Sequence, residues 1–417
     1  MRHASRPRAL PVAAALATAA LATVALVAAA APAGAAKDTG LDLSVDLRAV
    51  AVDAPDSFVY RGSGRLRFDD THAGLRFGSA RLGYRGDVGE HLRVGLEAFA
   101  YGDGNFQALD LTEAWAELRA WPRGAWRSRV KAGAFYPPIS LENRLRGWRS
   151  PYSLSPSAIN TWVGEELRTL GAEYDLDWLG AANGRDWNLT LTGAVYGWND
   201  PAGVVVATRG WGLHDRQTTL FGKVGERGGL LDQRRLFYEI DHRPGFYAGL
   251  AGNWRGRLEL RALRYDNRAN PAVPAPSIPD YAWWTWFNSY GLRWQPDEHW
   301  TLVVQRLQGR TYAGDDSPVN AFTFGAAFAL LSYTHGAQRF SVRHDRFMMQ
   351  QLASSYGFYN SDRGHAWTLA WGYSLDAHWS LSAEALHIRG ALAARSWLGI
   401  APAQAERQLQ LALRYEL

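Results

Sequence analysis

The chain has no cysteine, only three lysines among its 45 basic residues, and no uninterrupted apolar run of eighteen residues beyond its first 36 positions. Without cysteine there are no disulfides and no thiolate metal ligands, which suits a chain that crosses an oxidising compartment unfolded. Without a long apolar run, no helix after residue 36 can span a bilayer. The basic residues lie singly and not in the clusters that a phosphate backbone requires, so nucleic acid is not an expected partner. GxSxG, HExxH, Walker and GxGxxG motifs have no suitable context here, and no helical pattern exists to carry them. The adjacent pairs Asp241-His242 and His344-Asp345 do not change this, because neighbours on a strand point to opposite faces. No catalytic centre, metal site or cofactor is therefore expected.

What is present begins with Arg2, Arg6 and Arg8, then an uncharged Ala-, Leu- and Val-rich stretch from Ala9 to Ala31, then Ala33-Gly34-Ala35-Ala36 before Lys37. This is the layout of a cleaved signal peptide at 1–36, leaving a domain at 37–417. Its removal lowers the basic count from 45 to 42 against 40 acidic residues, a balance of +2. Aromatics make up 13% of the chain, with 19 Trp and 18 Tyr. A soluble domain rarely spends so much tryptophan, whereas a lipid-facing barrel places it in girdles at both membrane interfaces.

Period-two alternation supports that reading. Leu41, Leu43, Val45 and Leu47 alternate with Asp42, Ser44, Asp46 and Arg48, and Leu409, Leu411 and Leu413 alternate with Gln408, Gln410 and Arg414. Alternation alone also suits a soluble sandwich. The connections decide between them. Short polar turns near 86–90, 122–127, 179–185, 254–256, 296–299, 335–337 and 376–378 alternate with mostly longer segments at 53–73, 102–107, 137–165, 199–240, 268–281, 313–319, 349–364 and 390–406. The strand cores between them are 41–51, 74–85, 91–101, 108–121, 128–136, 166–178, 186–198, 243–253, 257–266, 282–295, 300–312, 320–334, 338–347, 365–375, 379–389 and 408–417. The expected fold is an all-β transmembrane antiparallel barrel of about 16 strands, with short periplasmic turns, long extracellular loops and both termini in the periplasm. Segments 60–69 and 203–238 leave fourteen and eighteen strands open.

Trp178, Trp187, Trp294, Trp300 and Trp379 flank short turns and read as the periplasmic girdle. Loop residues Trp148, Trp162 and Trp211 have sugar stacking as a functional alternative. The faces opposite the leucines supply Asp46, Arg48, Arg93, Glu97, Glu113, Glu117, Arg119, Arg129, Lys131, Glu173, Arg257, Glu259, Arg261, Arg343, Asp345, Arg414 and Glu416 to the lumen. Charges this dense need water or ion-pair ladders around them, so the interior reads as a water-filled pore. The loop from Pro137 to Glu166 is long, holds four prolines and carries Glu142, Arg144, Arg146, Arg149, Glu165 and Glu166. Folded inward it would form a constriction, with Arg144, Arg146 and Arg149 near Glu113 and Glu117. Folded outward, its arginines would meet lipopolysaccharide phosphates.

LDLTEAWAEL at 109–118, RVKAGAFYPPISLEN at 129–143 and ELRTLGAEY at 166–174 resemble the phosphate-selective porin O and P family. The resemblance covers about 65 residues and implies a sixteen-stranded porin, usually trimeric, with Glu113, Gly133, Pro138, Ser140, Leu141 and Glu142 as matching positions. Phosphate selectivity in that family rests on an arginine-rich constriction approached through lysines, and here only Lys37, Lys131 and Lys223 exist. The expected function is passive diffusion of small hydrophilic solutes or ions with a mild anion preference. The alternative is a non-conducting barrel acting as adhesin or structural and assembly partner. Expected partners are outer-membrane lipid and lipopolysaccharide, a homotrimer, and the assembly machinery reading the last strand, in which Leu417 stands where an aromatic is usual and Tyr415 remains.

Overall fold

The computed structural model describes residues 40–103, 109–225, 234–275, 281–314, 320–354 and 359–417. The expected signal peptide lies outside them. Sixteen antiparallel strands run in chain order: β1 (Gly40–Asp53), β2 (Gly74–Val88), β3 (Leu92–Ala100), β4 (Leu109–Arg119), β5 (Trp126–Phe135), β6 (Thr169–Trp178), β7 (Trp187–Gly197), β8 (Gly245–Trp254), β9 (Leu258–Asp266), β10 (Trp284–Trp294), β11 (Trp300–Ala313), β12 (Asn320–His335), β13 (Gln338–Ser354), β14 (Asp362–Ser374), β15 (Trp379–Leu392) and β16 (Ala403–Glu416). Each pairs with its neighbour, and β1 closes on β16 from Ser44↔Glu416 to Asp53↔Arg407. Closure leaves no free edge, as a spanning sheet requires. Segments 60–69 and 203–238 add no strand to the wall, which fixes the count at sixteen. All seven short turns gather at one end, where Gly40 and Leu417 also lie.

Aromatic side chains ring that end. Trp126 pairs with Trp178, Trp187 with Trp254, Trp300 with Tyr333, Phe340 with Trp371 and Trp379 with Tyr415. Above them Leu96, Leu189, Leu191, Leu250, Leu409 and Leu411 point away from the barrel, while Asp46, Arg48, Glu97, Glu173, Arg343 and Asp345 are buried inside it. Leu92 and Val94 share the outward face of Leu96, half-buried. Arg257 is the exception: it sits exposed at a turn, donating to the Pro296 carbonyl, because the strand begins one residue later. Leu191 faces Leu250 across β7 and β8, near mid-strand. Leu191→Arg should destabilise the folded barrel by about 2 to 4 kcal/mol, because a guanidinium would enter hydrocarbon. Unchanged folding into lipid vesicles would mean that this face is not the one that meets lipid.

The lumen departs from the expected water-filled pore. Three connections, 54–73, 136–168 and the described parts of 198–244, fold into it from the loop end. They pack with inward-facing Phe287, Val303, Leu307, Phe322, Phe324, Phe347, Leu386 and Ile388 into one apolar cluster. Helix α1 (Ala158–Glu166) lies at its centre, and a short helix α2 (Val204–Arg209) abuts it. Trp162 of α1 stands 5.4 Å from Phe287, 5.2 Å from Phe324 and 5.9 Å from Trp211, ring centre to ring centre. Two cavities in the filled region measure about 30 and 20 Å³. The ion pairs that the sequence implies line the turn-side half, and on the loop side further buried pairs, Arg65 with Asp362 at 2.5 Å and Arg67 with Asp103 at 2.9 Å, tie the inserted loops in place. On β10–β13 the loop-side wall instead turns its apolar residues inward against the inserted loops.

Candidate functional site in the lumen

The segment from Tyr136 to Arg168, here called the insert, leaves the wall at the top of β5. Gly133 sits at φ 129°, where an added Cβ would come within 2.3 Å of the Ala114 carbonyl oxygen. Only glycine allows β5 this approach to β4. Pro137 and Pro138 then turn the chain inward, and the Ser140 hydroxyl accepts from the Glu142 and Asn143 amides. Leu141 packs over Gly291 of β10, where a Cβ would lie 2.6 Å from its Cδ1. Gly133, Pro138, Ser140 and Leu141 thus form the root of an inward loop.

The insert crosses the whole lumen. Arg261 of β9 donates to the Pro138 carbonyl at 2.8 Å and Gln305 of β11 to the Ile139 carbonyl at 3.1 Å. On the far side the Ser155 amide donates to Glu384 at 2.9 Å and the Ala158 amide to Asp345 at 3.0 Å. Arg343 of β13 forms the central tie. It pairs with Glu142 at 2.7 Å and Asp345 at 2.7 Å and donates to the carbonyls of Ser155 and Pro156. Glu142, Arg343 and Asp345 are fully buried, and Glu142 also accepts from the Ser157 amide and Asn160 Nδ2.

The three loop arginines lie inside, which overturns the outward lipopolysaccharide reading for them. They do not meet Glu113 and Glu117. Arg144 pairs with Glu259 at 2.7 Å, Arg146 with Asp42 at 3.0 Å and Glu97 at 3.3 Å, and Arg149 with Glu416 at 2.6 Å. The reason is geometric: the insert spans to β9 and β16 and does not fold back along β4 and β5. Burial and the nearby Arg414 push the Arg149 guanidinium down to about 10.

Glu117 instead pairs with Arg119 and, at 3.7 Å, with Arg129, which also bridges Asp175 and Asp177 at 2.9 Å each. Lys131 lies over the rings of Trp115 and Phe135, and Glu113 is buried opposite Glu97 on β3. Glu165 and Glu166 do not line open water. Burial raises Glu165, but Arg209 and His214 outweigh it and bring the carboxyl down to about 2. Burial pushes Glu166 up to about 7 although Gly203 N, Val205 N and Trp162 Nε1 all donate to it. Gly203 is held close to Thr285 and Thr311, where a Cβ would lie 2.4 and 2.1 Å from their hydroxyls.

Trp148, Trp162 and Trp211 are not platforms for a sugar. Trp148 stacks on Tyr136 at 4.2 Å and donates to the Asn160 carbonyl, while Trp162 and Trp211 are buried in the cluster. Asp200, Glu239 and Asp241 gather carboxylate oxygens within 4.8 Å of one another. Backbone amides of Ile240, Trp198 and Arg243 each donate to one oxygen of these carboxylates, so the group ties the described parts of loop 198–244 together, while Glu239 Oε1 is buried without a hydrogen-bond partner.

Sequence reasoning missed two sets of residues. One is the pair of further inserted loops, signalled by the apolar Val204-Val205-Val206 and Trp211 in a segment that would otherwise face water. The other is a row of outward arginines on β11–β15, signalled by Arg306 and Arg310 sharing parity with Leu302 and Val304.

No family model and no curated protein matches the chain. Among solved structures it is similar to the outer membrane channel DcaP of Acinetobacter baumannii, with TM-score 0.55, 12% identity and coverage of 93% of this chain and 100% of that one. It is also similar to a loop L8 deletion mutant of OmpT, an outer membrane protein of Vibrio cholerae, with TM-score 0.51, 8% identity and coverage of 91% and 99%. OmpF of Salmonella typhi, in complex with daunomycin, gives TM-score 0.51, 10% identity and coverage of 90% and 97%. The likeness is one of fold, an outer-membrane porin barrel.

Proposed function

We propose that the chain is an outer-membrane channel of porin type, exported by residues 1–36, that passes small hydrophilic solutes with a mild preference for anions. One observation carries the preference. In the turn-side vestibule, Glu97, Glu113, Glu117, Glu173, Asp175, Asp177 and Glu259 are buried, whereas Arg85, Arg119, Arg129, Arg144, Arg261 and Arg293 keep part of their surface free. Along β2–β10 water in the vestibule meets guanidinium groups in front of carboxylates, and the field there attracts anions. At β1 and β16 the order is reversed, Glu416 being more open than Arg149. Phosphate, as the porin O and P resemblance suggests, is one such anion, and arginine binds it in place of lysine. Homotrimers, lipopolysaccharide contacts and recognition of β16 by the assembly machinery belong to the same reading. The insert narrows the path, so a small unitary conductance is expected for a barrel of this width.

Arg144→Ala, Arg146→Ala and Arg149→Ala together should enlarge the conductance and move the reversal potential in a salt gradient toward cations. Their removal leaves Glu259, Glu97, Asp42 and Glu416 without these partners. The shift should be largest at low salt, where screening is weakest. Identical size and selectivity in parent and triple variant would remove the insert from the path. A second reading, a non-conducting barrel for adhesion or assembly, is favoured by the apolar packing of the loop-side lumen. Planar-bilayer recordings without single-channel steps would select it.

A further inference from the structure

The outer wall is not uniformly apolar. On the loop-side half of β11–β15, register places Arg306, Ala327, Arg346, His365 and Arg389 side by side in one row, all pointing away from the barrel. Arg310 and Arg363 stand above this row, also exposed. Among the described residues, none of these five arginines has a carboxylate within ion-pair distance. Between their side chains the small residues Gly325 and Ala327 of β12 leave a groove of about 1660 Å³ open to the outside. Directly below, Leu331, Val342, Leu369 and Leu409 line an apolar groove of about 530 Å³ that runs down toward the aromatic girdle.

Arg306 donates to Gln308 at 2.9 Å and Arg389 to His387 at 3.1 Å, but neutral partners leave the charge in place. Guanidinium groups without a counter-charge on a membrane wall do not lie against bare hydrocarbon, so this face has an anionic or polar cover. The described strands of a second copy do not supply it. Among the described residues, the outward carboxylates of the wall are Asp53 and Asp266, each with an arginine of its own, Arg407 at 3.7 Å and Arg264 at 3.6 Å. We infer that the groove seats a phosphorylated glycolipid of the outer leaflet, with phosphates on Arg306, Arg346, Arg363 and Arg389 and acyl chains along the apolar groove below. Arg306, Arg346 and Arg389 recur on every second strand, about 10 Å apart. That spacing presents separate guanidinium forks to a headgroup with more than one phosphate, and each fork can bind bidentately. A free anion would have no use for the apolar groove beneath. The inference rests on the outer-membrane reading of the barrel but not on conduction.

The test uses the full chain refolded in detergent, with retention read by native mass spectrometry. The probes are bisphosphorylated lipid A, the same lipid dephosphorylated, and inorganic phosphate as competitor. The parent should hold the bisphosphorylated lipid about tenfold more tightly than the dephosphorylated form, and phosphate should not displace it. Combining Arg346→Gln, Arg363→Gln and Arg389→Gln should abolish the preference. Ala327→Trp, which fills the groove and leaves every arginine in place, should weaken retention as well. Equal retention of both lipids, equal retention by parent and variants, or displacement by phosphate overturns the proposal. A lipid-free oligomer that the arginine variant dissolves also overturns it, by making the face an interface between copies. Bilayer conductance of the same preparations separates the two readings: a silent barrel that still selects the phosphorylated lipid removes the channel and leaves the groove, and the reverse result does the opposite.

Discussion

Arg343→Ala is expected to unseat the insert and cost about 3 to 5 kcal/mol of stability. Arg343 is the only cation within ion-pair distance of Glu142 and Asp345 among the described residues, and all three are fully buried. Removing it leaves two fully buried carboxylates without a counter-charge, together with two insert carbonyls that each lose one of their two donors. Urea unfolding in detergent, followed by tryptophan fluorescence, should show a lowered midpoint. Adding Glu142→Gln and Asp345→Asn to the same variant should restore much of the loss, because neither of the two carboxylates that Arg343 paired with then carries a charge. An unchanged midpoint for the single variant would mean that the insert is held by its apolar contacts and that the triad is incidental. A low midpoint that the triple variant fails to recover would place the effect in lost packing.

The second large effect belongs to Trp162. Its ring contacts Trp211, Phe287 and Phe324 at the centre of the filled lumen. Trp162→Ala removes the largest side chain of α1, and a core substitution of this size costs about 3 to 5 kcal/mol. The insert is anchored at both ends by ion pairs and hydrogen bonds, so the wall is expected to survive while a void opens where the path is most tightly closed. Unitary conductance should rise clearly above that of the parent, with little change in ion preference because no charge is altered. Recordings in which the variant folds and conducts no better than the parent would place the route elsewhere or remove it.

Much of the insert's course was legible and much of its contact pattern was not. The motif from Gly133 to Glu142 announces an inward turn, since a glycine, two prolines and a serine cap occur together after a strand. Which carboxylates receive Arg144, Arg146 and Arg149 depends on where the far wall stands. Glu259, Asp42 and Glu416 are distant in sequence and meet the insert only because sixteen strands close. Glu142, Glu165 and Glu166 read as constriction charges for the same reason: charge is visible in a sequence, and burial behind two further loops is not.

The sequence by itself determined an antiparallel barrel of about sixteen strands, the seven tight turns and the end at which they gather, because period two and turn chemistry are local properties. That segments 60–69 and 203–238 add no strand to the wall was decided by the tertiary structure. It also determined the outward face of β1, β3, β7 and β16, where only one of the two alternating sets is apolar. Only the tertiary structure decided the faces of the loop-side halves of β11 and β13. There Leu307 and Phe347 point inward while Arg306, Arg310 and Arg346 point outward. Alternation separates two faces without saying which is inside. That choice is made by what fills the barrel, and here the filling is the chain's own apolar loops, which draw the phenylalanines in and leave the arginines on the wall.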